Sequence, residues 1–458
     1  MRAIGGHAVV LGASMSGLLA ARVLADAYRQ VTLVERDVLT CGGTELGRRG
    51  VPQGRHAHAL LPRGGQILEE LFPGILAELV AAGAPVIDYR QLHFSVAGHR
   101  VCPAADPGQV VYQPSRPFLE DRVRARVRRL GTVRFIDDCD VTGLAADGRR
   151  ERVTGVRVFR RVVGSVEETL GADLVVDATG RGSRAPVWLN ELGYRRPVEE
   201  QVPVRLRYAS QRLRLPRAAL TEKLVTIGAK PSRPTSATLL AHESDCWMLT
   251  VAGYSGHHPP SARDGIVDFA ADALPAHVIA ALRDADPIGP VITHNFPANQ
   301  RRRYERMHRF PDGLIVFGDA VCSFNPLYAQ GITVAALEAM VLRRCLERGP
   351  HDLPRRFFRA AAKPLNVAWQ LATSADLALP EVPGPRPARL RALNAYLRRL
   401  EASAEDDARV ARQFLRVLAM LDPPNRLFHP AIVLRVLGGS GRRGMGTHRE
   451  RQLTSQAQ

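Results

Sequence analysis

The stretch that decides the fold is Ala8-Val-Val-Leu-Gly-Ala-Ser-Met-Ser-Gly17, close to the start of the chain. Residues 8 to 11 form a short apolar run of the strand type, and a helical pattern follows the Gly12 turn. A second apolar run begins at Val31 and ends at Glu35. Together these residues predict a strand, a tight turn, a helix and a second strand.

The Gly12 turn has the spacing of a dinucleotide-binding motif, with Ser14 in place of the usual middle glycine. The N-terminus of the following helix offers unpaired N–H groups and a positive dipole end to a pyrophosphate. Glu35 lies 18 residues after Gly17, where an acid accepts the hydroxyls of a ribose. The alternative for this segment alone is a tight turn that binds nothing.

Two later segments have the same strand-to-turn character. Leu174-Val-Val-Asp-Ala-Thr-Gly180 runs from a strand into a glycine-rich turn. Leu314-Ile-Val-Phe-Gly-Asp319 is a strand that ends in Gly-Asp, and Asn325-Pro-Leu-Tyr-Ala-Gln-Gly331 then enters a helix. The order of the three blocks predicts that separated segments form one dinucleotide site.

With these blocks the chain resembles the FAD-dependent monooxygenases of the p-hydroxybenzoate hydroxylase type. Within them it is most similar to the bacterial epoxidase-like branch near the squalene and polyether epoxidases. The resemblance covers residues 7 to about 440. It implies an α/β fold with an FAD-binding Rossmann-like domain of the glutathione reductase type, an antiparallel substrate-binding sheet and a helical C-terminal region.

The resemblance also implies cofactor-binding roles for particular residues. Glu35 would bind the adenosine ribose, Arg116 the phosphates or ribityl chain, and Asp319 the ribityl and pyrophosphate region. The turn Ala329-Gln330-Gly331 would direct a helix N-terminus at the flavin pyrimidine, although many relatives have glycine at position 329. The full set of implied FAD-binding residues is Gly12, Ser14, Ser16, Gly17, Glu35, Arg36, Arg55, Arg116, Val141, Asp319, Ala329 and Gly331.

The same resemblance implies the domain organisation. Residues 1–185 form the first part of the FAD-binding domain, with a substrate-side insertion near 83–104. Residues 186–304 form the substrate-binding antiparallel sheet, and 305–350 close the FAD-binding domain. Residues 351–437 form the helical C-terminal region, and the Gly- and Arg-rich residues 438–458 are expected to be a disordered tail.

The implied activity is insertion of one oxygen atom from O2 into an electron-rich alkene or arene of an apolar metabolite, by epoxidation or hydroxylation. NAD(P)H is expected as a transient reductant, or a partner reductase supplies the electrons, because only one dinucleotide motif is present. No catalytic side chain is assigned, since the cofactor supplies the chemistry. The alternatives are a flavin halogenase, a flavin dehydrogenase or reductase, and a non-catalytic flavin-binding protein. The lysine and the W-x-W-x-I-P run that the halogenase family implies do not occur.

Composition excludes several other classes. The formal net charge is +18, but 60 of the 63 basic residues are arginines scattered along the chain, so no nucleic-acid partner is expected. The six cysteines have no zinc-ligand spacing and are expected to be reduced thiols of a cytoplasmic protein. The sequence shows neither an export signal nor a membrane-spanning run.

Four further features have two interpretations each. His56 and His58 are either solvated loop residues or metal ligands. Residues 301–306, RRRYER, are interpreted as surface ion pairs rather than an anion site. Trp247, Leu249 and Val251 either face the substrate or pack in the core. The predicted helix 403–421 either packs on the FAD domain or rests on a membrane surface.

Overall fold

The computed structural model describes residues 3–40, 48, 50–104, 106, 108–216 and 218–438. The predicted tail at 439–458 lies outside the described residues. The described strands, in chain order, are β1 Gly5–Leu11, β2 Tyr28–Val34, β3 Val86–Ile87, β4 Leu92–Val96, β5 His99–Arg100, β6 Val111–Tyr112, β7 Val133–Ile136, β8 Cys139–Ala146, β9 Val153–Arg160, β10 Glu168–Gly171, β11 Leu174–Asp177, β12 Glu199–Val202, β13 Leu206–Arg214, β14 Leu224–Ile227, β15 Thr235–Ala241, β16 Trp247–Gly253, β17 Asp286–Phe296, β18 Asn299–Arg302, β19 Leu314–Val316 and β20 Cys322–Ser323. The described α-helices are α1 Met15–Leu24, α2 Pro62–Leu71, α3 Ile75–Ala81, α4 Arg116–Arg128, α5 Ala185–Glu191, α6 Arg263–Ala271, α7 Ala276–Arg283, α8 Gly331–Leu346, α9 Leu353–Asp376, α10 Ala388–Ser403, α11 Ala408–Leu418 and α12 Pro430–Gly438.

A five-stranded parallel sheet has the order β19-β11-β1-β2-β7. Its central strands are short, continuous apolar runs because both faces are covered by other elements. In β1, the four residues from Ala8 to Leu11 are fully buried. This sheet brings the three sequence blocks side by side, which confirms the predicted fold class.

A seven-stranded sheet has the order β17-β13-β16-β15-β14-β4-β5. Its pairings are antiparallel except for the parallel pair of β14 and β4. The strand β4 comes from residues 92–96, so the segment near 83–104 contributes to this sheet. Helices α6 and α7 pack on one of its faces. The domain boundaries themselves stay a prediction.

Two predicted helices differ from the structure. The apolar pattern of residues 66–82 predicts one helix, which the structure divides into α2 and α3 because Pro73 has no N–H to donate and Gly74 has a left-handed φ of 81°. The helix expected to begin at Ser403 begins at Ala408 instead. Its N-cap is Asp407, whose carboxylate accepts hydrogen bonds from the N–H groups of the next turn.

The apolar face of α11 packs in a cluster with residues of the seven-stranded sheet, including Leu224, Leu240 and Met248. The same cluster contains Val111, from the segment predicted to belong to the FAD domain, so α11 packs against both that segment and the sheet. Helical periodicity identifies which face is buried and does not identify the sheet as part of what covers it.

The arginines of residues 301–306 form ion pairs, as expected, but only Arg306 is on the surface and the other three are buried. Arg301 is fully buried and pairs with Glu305 at 3.1 Å, and Arg302 pairs with Glu199 at 3.1 Å. Arg303 pairs with Glu200. The strand β18 that contains two of these arginines lies between β12 and β20, which buries it.

Candidate functional site

The functional site lies where the parallel strands end. Because the carboxyl ends of parallel strands meet at one edge of a sheet, the turns after β1, β2, β11 and β19 lie together there. They line one cavity of about 1400 Å³. Ten of the predicted cofactor-binding residues line it: Gly12, Ser14, Ser16, Glu35, Arg36, Arg116, Val141, Asp319, Ala329 and Gly331. Gly17 and Arg55 are not among the lining residues.

Glycines allow the turns to approach one another. Gly12 has a φ of 93°, and a Cβ at this position would lie 2.7 Å from the carbonyl oxygen of Ala178, after β11. A Cβ on Gly17 would overlap the carbonyl oxygen of Gly12. Gly17 therefore has a structural reason to be glycine, since its side-chain position is filled by the first turn of the motif.

The Gly-Asp turn after β19 contacts the first turn of α1. Gly318 has a φ of 66°, and a Cβ there would lie 2.8 Å from Cβ of Ser16 and closer still to its hydroxyl. Asp319, the next residue, lines the cavity beside that contact. Two segments about 300 residues apart in the chain thus form one wall.

An ionic network lies beside the N-terminus of α1. The carboxylate of Glu120 is buried and pairs with Arg48, with Arg116 at 3.4 Å and with Arg124 at 3.1 Å. Burial acts to raise the pKa of Glu120, but the arginines outweigh it and the net pKa is lowered. Arg48 also pairs with Glu35 at 3.0 Å and Arg124 with Asp121 at 3.5 Å, so three guanidinium groups face three carboxylates. Of these arginines Arg116 lines the cavity, where its guanidinium suits an anion such as a pyrophosphate.

Sequence reasoning found Arg116 in this network and missed three of its members. The spacing of Arg116, Glu120 and Arg124 along α4 was a usable signal, because residues four apart lie on one face of a helix. Arg48 had no comparable signal, since it lies in the glycine- and arginine-rich loop.

Ser14 occupies the place of the middle glycine and joins the network. Its hydroxyl donates to Glu120 at 3.0 Å and accepts from Arg116 Nη2 at 2.9 Å. It is the N-cap residue of α1 but makes no side-chain capping bond, and the first turn of α1 contains no acidic residue. The N–H groups of this helix end therefore stay available to a ligand.

Glu35 fixes the first turn of the motif. Its Oε2 accepts a hydrogen bond from the N–H of Ala13 at 2.7 Å, and its Oε1 accepts one from the N–H of Asp37 at 3.0 Å. The carboxylate also lines the cavity. Binding of a ribose by Glu35 stays a prediction.

Asp319 faces the cavity among basic groups. Burial raises its pKa, whereas Arg116 and Arg181 act to lower it. The Arg181 guanidinium donates to the carbonyl oxygen of Ala298 at 2.6 Å and lies over the ring of Phe296 at 4.9 Å. These contacts hold a cation close to the Asp319 carboxylate.

The loop that leads into α8 is held by a buried carboxylate. Asp376 of α9 is fully buried and accepts hydrogen bonds from Asn299 at 2.6 Å, Tyr328 at 2.7 Å, Asn325 at 2.8 Å and Tyr254 at 3.1 Å. No sequence pattern indicated this network, because its five members come from four segments that are far apart in the chain. It fixes the loop 325–330, several residues of which line the cavity.

The backbone of this loop explains why relatives have glycine at position 329. Ala329 adopts a left-handed φ of 52°, which glycine adopts without strain. Helix α8 then begins at Gly331 and has no acidic residue in its first turn. At the helix start, the Oε1 atom of Gln330 and the hydroxyl of Thr333 are buried without partners among the described residues.

Of the two loop histidines, His56 is buried and His58 is half-buried, so neither is a fully solvated residue. His56 Nδ1 bonds the hydroxyl of Ser210 at 2.8 Å, and its ring meets the ring of Tyr208 edge-on at 4.4 Å. Burial, reinforced by His294 and Arg55, lowers the pKa of His56 to about 3. Burial also lowers the pKa of His58 well below its ordinary value.

Metal binding by these histidines gains no support. In the part of the chain that the structure describes, no group of three or more His, Cys, Asp or Glu residues could hold a metal ion. Among the same residues, no helix has both the length and the apolar character needed to cross a bilayer.

The seven-stranded sheet and the C-terminal helices form the rest of the cavity wall. The predicted strand residues Trp247, Leu249 and Val251 belong to the core cluster that contains α6 and α7. Their neighbour Thr250 lines the cavity instead, as alternation along a strand requires. Core packing was therefore the correct interpretation of these three residues.

Comparison with curated proteins identifies close and distant relatives. No family model matches the chain. Protein Rv3254 of Mycobacterium tuberculosis is 38% identical over 458 residues, which is 97% of this chain and 96% of that protein. Kynurenine 3-monooxygenase of Salinispora arenicola is 26% identical over 379 residues, 80% of this chain and 78% of that protein.

Comparison with solved structures supports the fold. The flavin-dependent brominase Bmp2 has a TM-score of 0.66 at 16% identity, covering 96% of this chain and 100% of its own. The p-nitrophenol 4-monooxygenase PnpA of Pseudomonas putida has a TM-score of 0.65 at 15% identity, covering 93% and 100%. The chain thus has the fold shared by FAD-dependent monooxygenases and flavin-dependent halogenases.

Proposed function

The chain belongs to the same family as Protein Rv3254 of Mycobacterium tuberculosis, and on that premise we propose that it is an FAD-dependent monooxygenase acting on an apolar organic substrate. One observation carries the proposal. The turns that contain Gly12, Glu35 and Asp319 line a single cavity, and that cavity continues between the seven-stranded sheet and the C-terminal helices.

The residues present fit an FAD molecule. The backbone at Gly12 and Gly318 approaches neighbouring turns so closely that a Cβ would collide there, as expected for turns packed around a dinucleotide. The Arg116 guanidinium lines the cavity beside the free N-terminus of α1. The Oε1 atom of Gln330, which also lines the cavity, is buried without a partner among the described residues at the start of α8.

The proposed roles of the residues follow from these positions. Ser14, Ser16, Arg116 and the N-terminus of α1 would hold the pyrophosphate, and Glu35 with Arg36 the adenosine ribose. Asp319 and Val141 would contact the rest of the dinucleotide. The N-terminus of α8, at Ala329 to Gly331, would stabilise negative charge on the flavin.

When bound, FAD would pass two electrons from NAD(P)H or a partner reductase to O2, so that one oxygen atom enters the substrate and the other leaves as water. The protein binds the substrate against the flavin and excludes water from the site. The neutral rings of His56 and Tyr208 form the wall beside Thr250. We assign no catalytic acid or base to this chain.

Finer parts of the proposal rest on the sequence resemblance. They are the epoxidase-like branch, the choice between epoxidation and hydroxylation, the domain division given above and a cytoplasmic location. The likeness to kynurenine 3-monooxygenase and to PnpA supports oxygen insertion in general.

The halogenase alternative is favoured only by the likeness to the brominase. The resemblance to halogenases implies a lysine between flavin and substrate. The three lysines of this chain, Lys223, Lys230 and Lys363, are absent from the residues that line the cavity. This absence favours oxygen insertion.

The test uses the purified protein with FAD, NAD(P)H and a panel of apolar alkenes and arenes. The flavin is reduced without air, and isotopically heavy O2 is then admitted. We expect a product that contains one heavy oxygen atom, detected by mass spectrometry. Turnover that is unchanged by removal of O2 would instead indicate a dehydrogenase, and a product formed only with added bromide would indicate a halogenase.

A further inference from the structure

The cavity continues beyond the turns of the parallel sheet into a second part, here called the chamber. Its walls come from β4, the sheet strands β13 to β16 and the helices α9, α10 and α11. The whole cavity, at about 1400 Å³, exceeds the range of about 300–1000 Å³ that is usual for one small ligand. A dinucleotide at the sheet edge therefore leaves space for a second, sizeable molecule.

Helix α10 covers the chamber with one face. Leu393, Leu397 and Glu401 are spaced four residues apart, so they lie on the same face, and all three line the cavity. Phe414 and Leu418 of α11 line it as well. Glu401 is thus the charged end of a stripe that is otherwise apolar, and Asn394 and Arg398 add polar groups to the same wall.

Glu401 is a half-buried carboxylate in this wall. Its carboxylate makes no hydrogen bond or ion pair with any other residue in the described parts of the chain. Burial raises the pKa of Glu401 to about 7, and Arg398 opposes that rise. The nearby polar pair of His99 and Glu405, in contrast, is already bonded at 3.0 Å. The carboxylate lines the cavity without a protein partner, so it is placed to accept a hydrogen bond from a ligand bound there.

We propose that the substrate is an elongated apolar molecule that carries an amine or hydroxyl group, and that Glu401 accepts a hydrogen bond from this group. This inference deepens the proposed function and rests on it for the identity of the bound molecule as substrate. Glu401 is then a specificity-determining residue, and the apolar body of the molecule lies along Leu393 and Leu397.

The test measures binding without turnover. The neutral fluorophore N-phenyl-1-naphthylamine is bound to the FAD-loaded protein and displaced by decylamine, 1-decanol or decanoate. These three probes share one apolar chain and differ in the end group. The variants are Glu401→Leu, which removes the acceptor, and Glu401→Gln, which keeps an acceptor without the charge. Glu347→Gln is the control, because Glu347 is exposed and does not line the cavity.

In the wild type we expect decylamine and 1-decanol to displace the fluorophore at concentrations at least tenfold below that of decanoate. The preference for both should disappear in Glu401→Leu, whereas Glu401→Gln should keep the preference for the alcohol and lose that for the amine. The Glu347→Gln variant should behave as the wild type. Equal displacement by the three probes, or a wild-type preference for decanoate through Arg398, overturns the inference.

The two proposals fail in different ways. If the protein takes up no FAD, the proposed function fails, and the displacement series can still be read on the protein as purified. If FAD binds and the three probes do not differ, only the role of Glu401 fails. Thermal unfolding of each variant verifies that a lost preference does not come from a lost fold.

Discussion

Replacing Gly318 by alanine tests whether the Asp319 turn contacts the first turn of α1. The φ of Gly318 is 66°, and this left-handed conformation costs an L-residue roughly 1–2 kcal/mol. The new Cβ would also lie 2.8 Å from Cβ of Ser16, well inside the usual carbon–carbon separation of about 3.5–4.0 Å. Such overpacking typically costs about 1–3 kcal/mol, so we expect a total of about 2–5 kcal/mol.

A double-mutant cycle separates the two contributions. In a Ser16→Gly background the atoms that collide are absent, and Gly318→Ala should cost only the backbone strain of roughly 1–2 kcal/mol. Gly349→Ala is the matched control, because Gly349 has a φ of 83° and no atom within 4 Å of the new Cβ. Its cost should be the same in both backgrounds.

The assay is urea unfolding of the protein without FAD, monitored by circular dichroism. We expect a coupling free energy of about 1–3 kcal/mol between positions 16 and 318 and none between 16 and 349. If Gly318→Ala costs no more than Gly349→Ala, or if the 16–318 coupling is absent, the two turns are not in contact and the assembled site is wrong.

Three further predictions concern buried groups. Burial raises the pKa of Glu338 from 4.5 to about 8, so the free energy of unfolding should fall as pH rises between these values. The loss is at most about 5 kcal/mol. Urea unfolding at several pH values should show that Glu338→Gln removes it. The pKa of His56 is lowered from 6.5 to about 3, so the free energy of unfolding should fall as pH drops between these values. His56→Asn should reduce this loss of stability at acid pH in the same urea measurements. Asp376→Ala removes the shared acceptor of four donors and should cost about 3–5 kcal/mol, whereas a cost below about 1 kcal/mol would contradict the network.

The parts of the fold that sequence predicted correctly are those set by local pattern. The strands that begin near Ala8, Leu174 and Leu314 are short apolar runs followed by glycine turns, and each occurs where its pattern indicated. Their convergence was predictable because parallel strands present their carboxyl ends at one edge.

The parts that sequence missed depend on contacts between distant segments. Glu120 and Arg48 meet across 72 residues, and His56 and Ser210 across 154. Nothing in the pattern around a single loop histidine indicates whether a sheet will bury it. The same limit applies to α11: its buried face was predicted, and its contact with the seven-stranded sheet was not.

The break between α2 and α3 has a different cause. The apolar period continues through Pro73, so hydrophobic pattern alone extends the helix. The missing N–H of Pro73 and the left-handed backbone of Gly74 override that pattern. Here local backbone chemistry, rather than tertiary contact, decides the outcome.

Titration of the flavin-free protein with FAD tests the central claim most directly. The account predicts uptake of one FAD per chain, with binding weakened at least tenfold by Asp319→Ala and unchanged by Asp312→Ala, an exposed aspartate seven residues earlier on the chain. Failure to take up FAD, or equal affinity in the two variants, would contradict it.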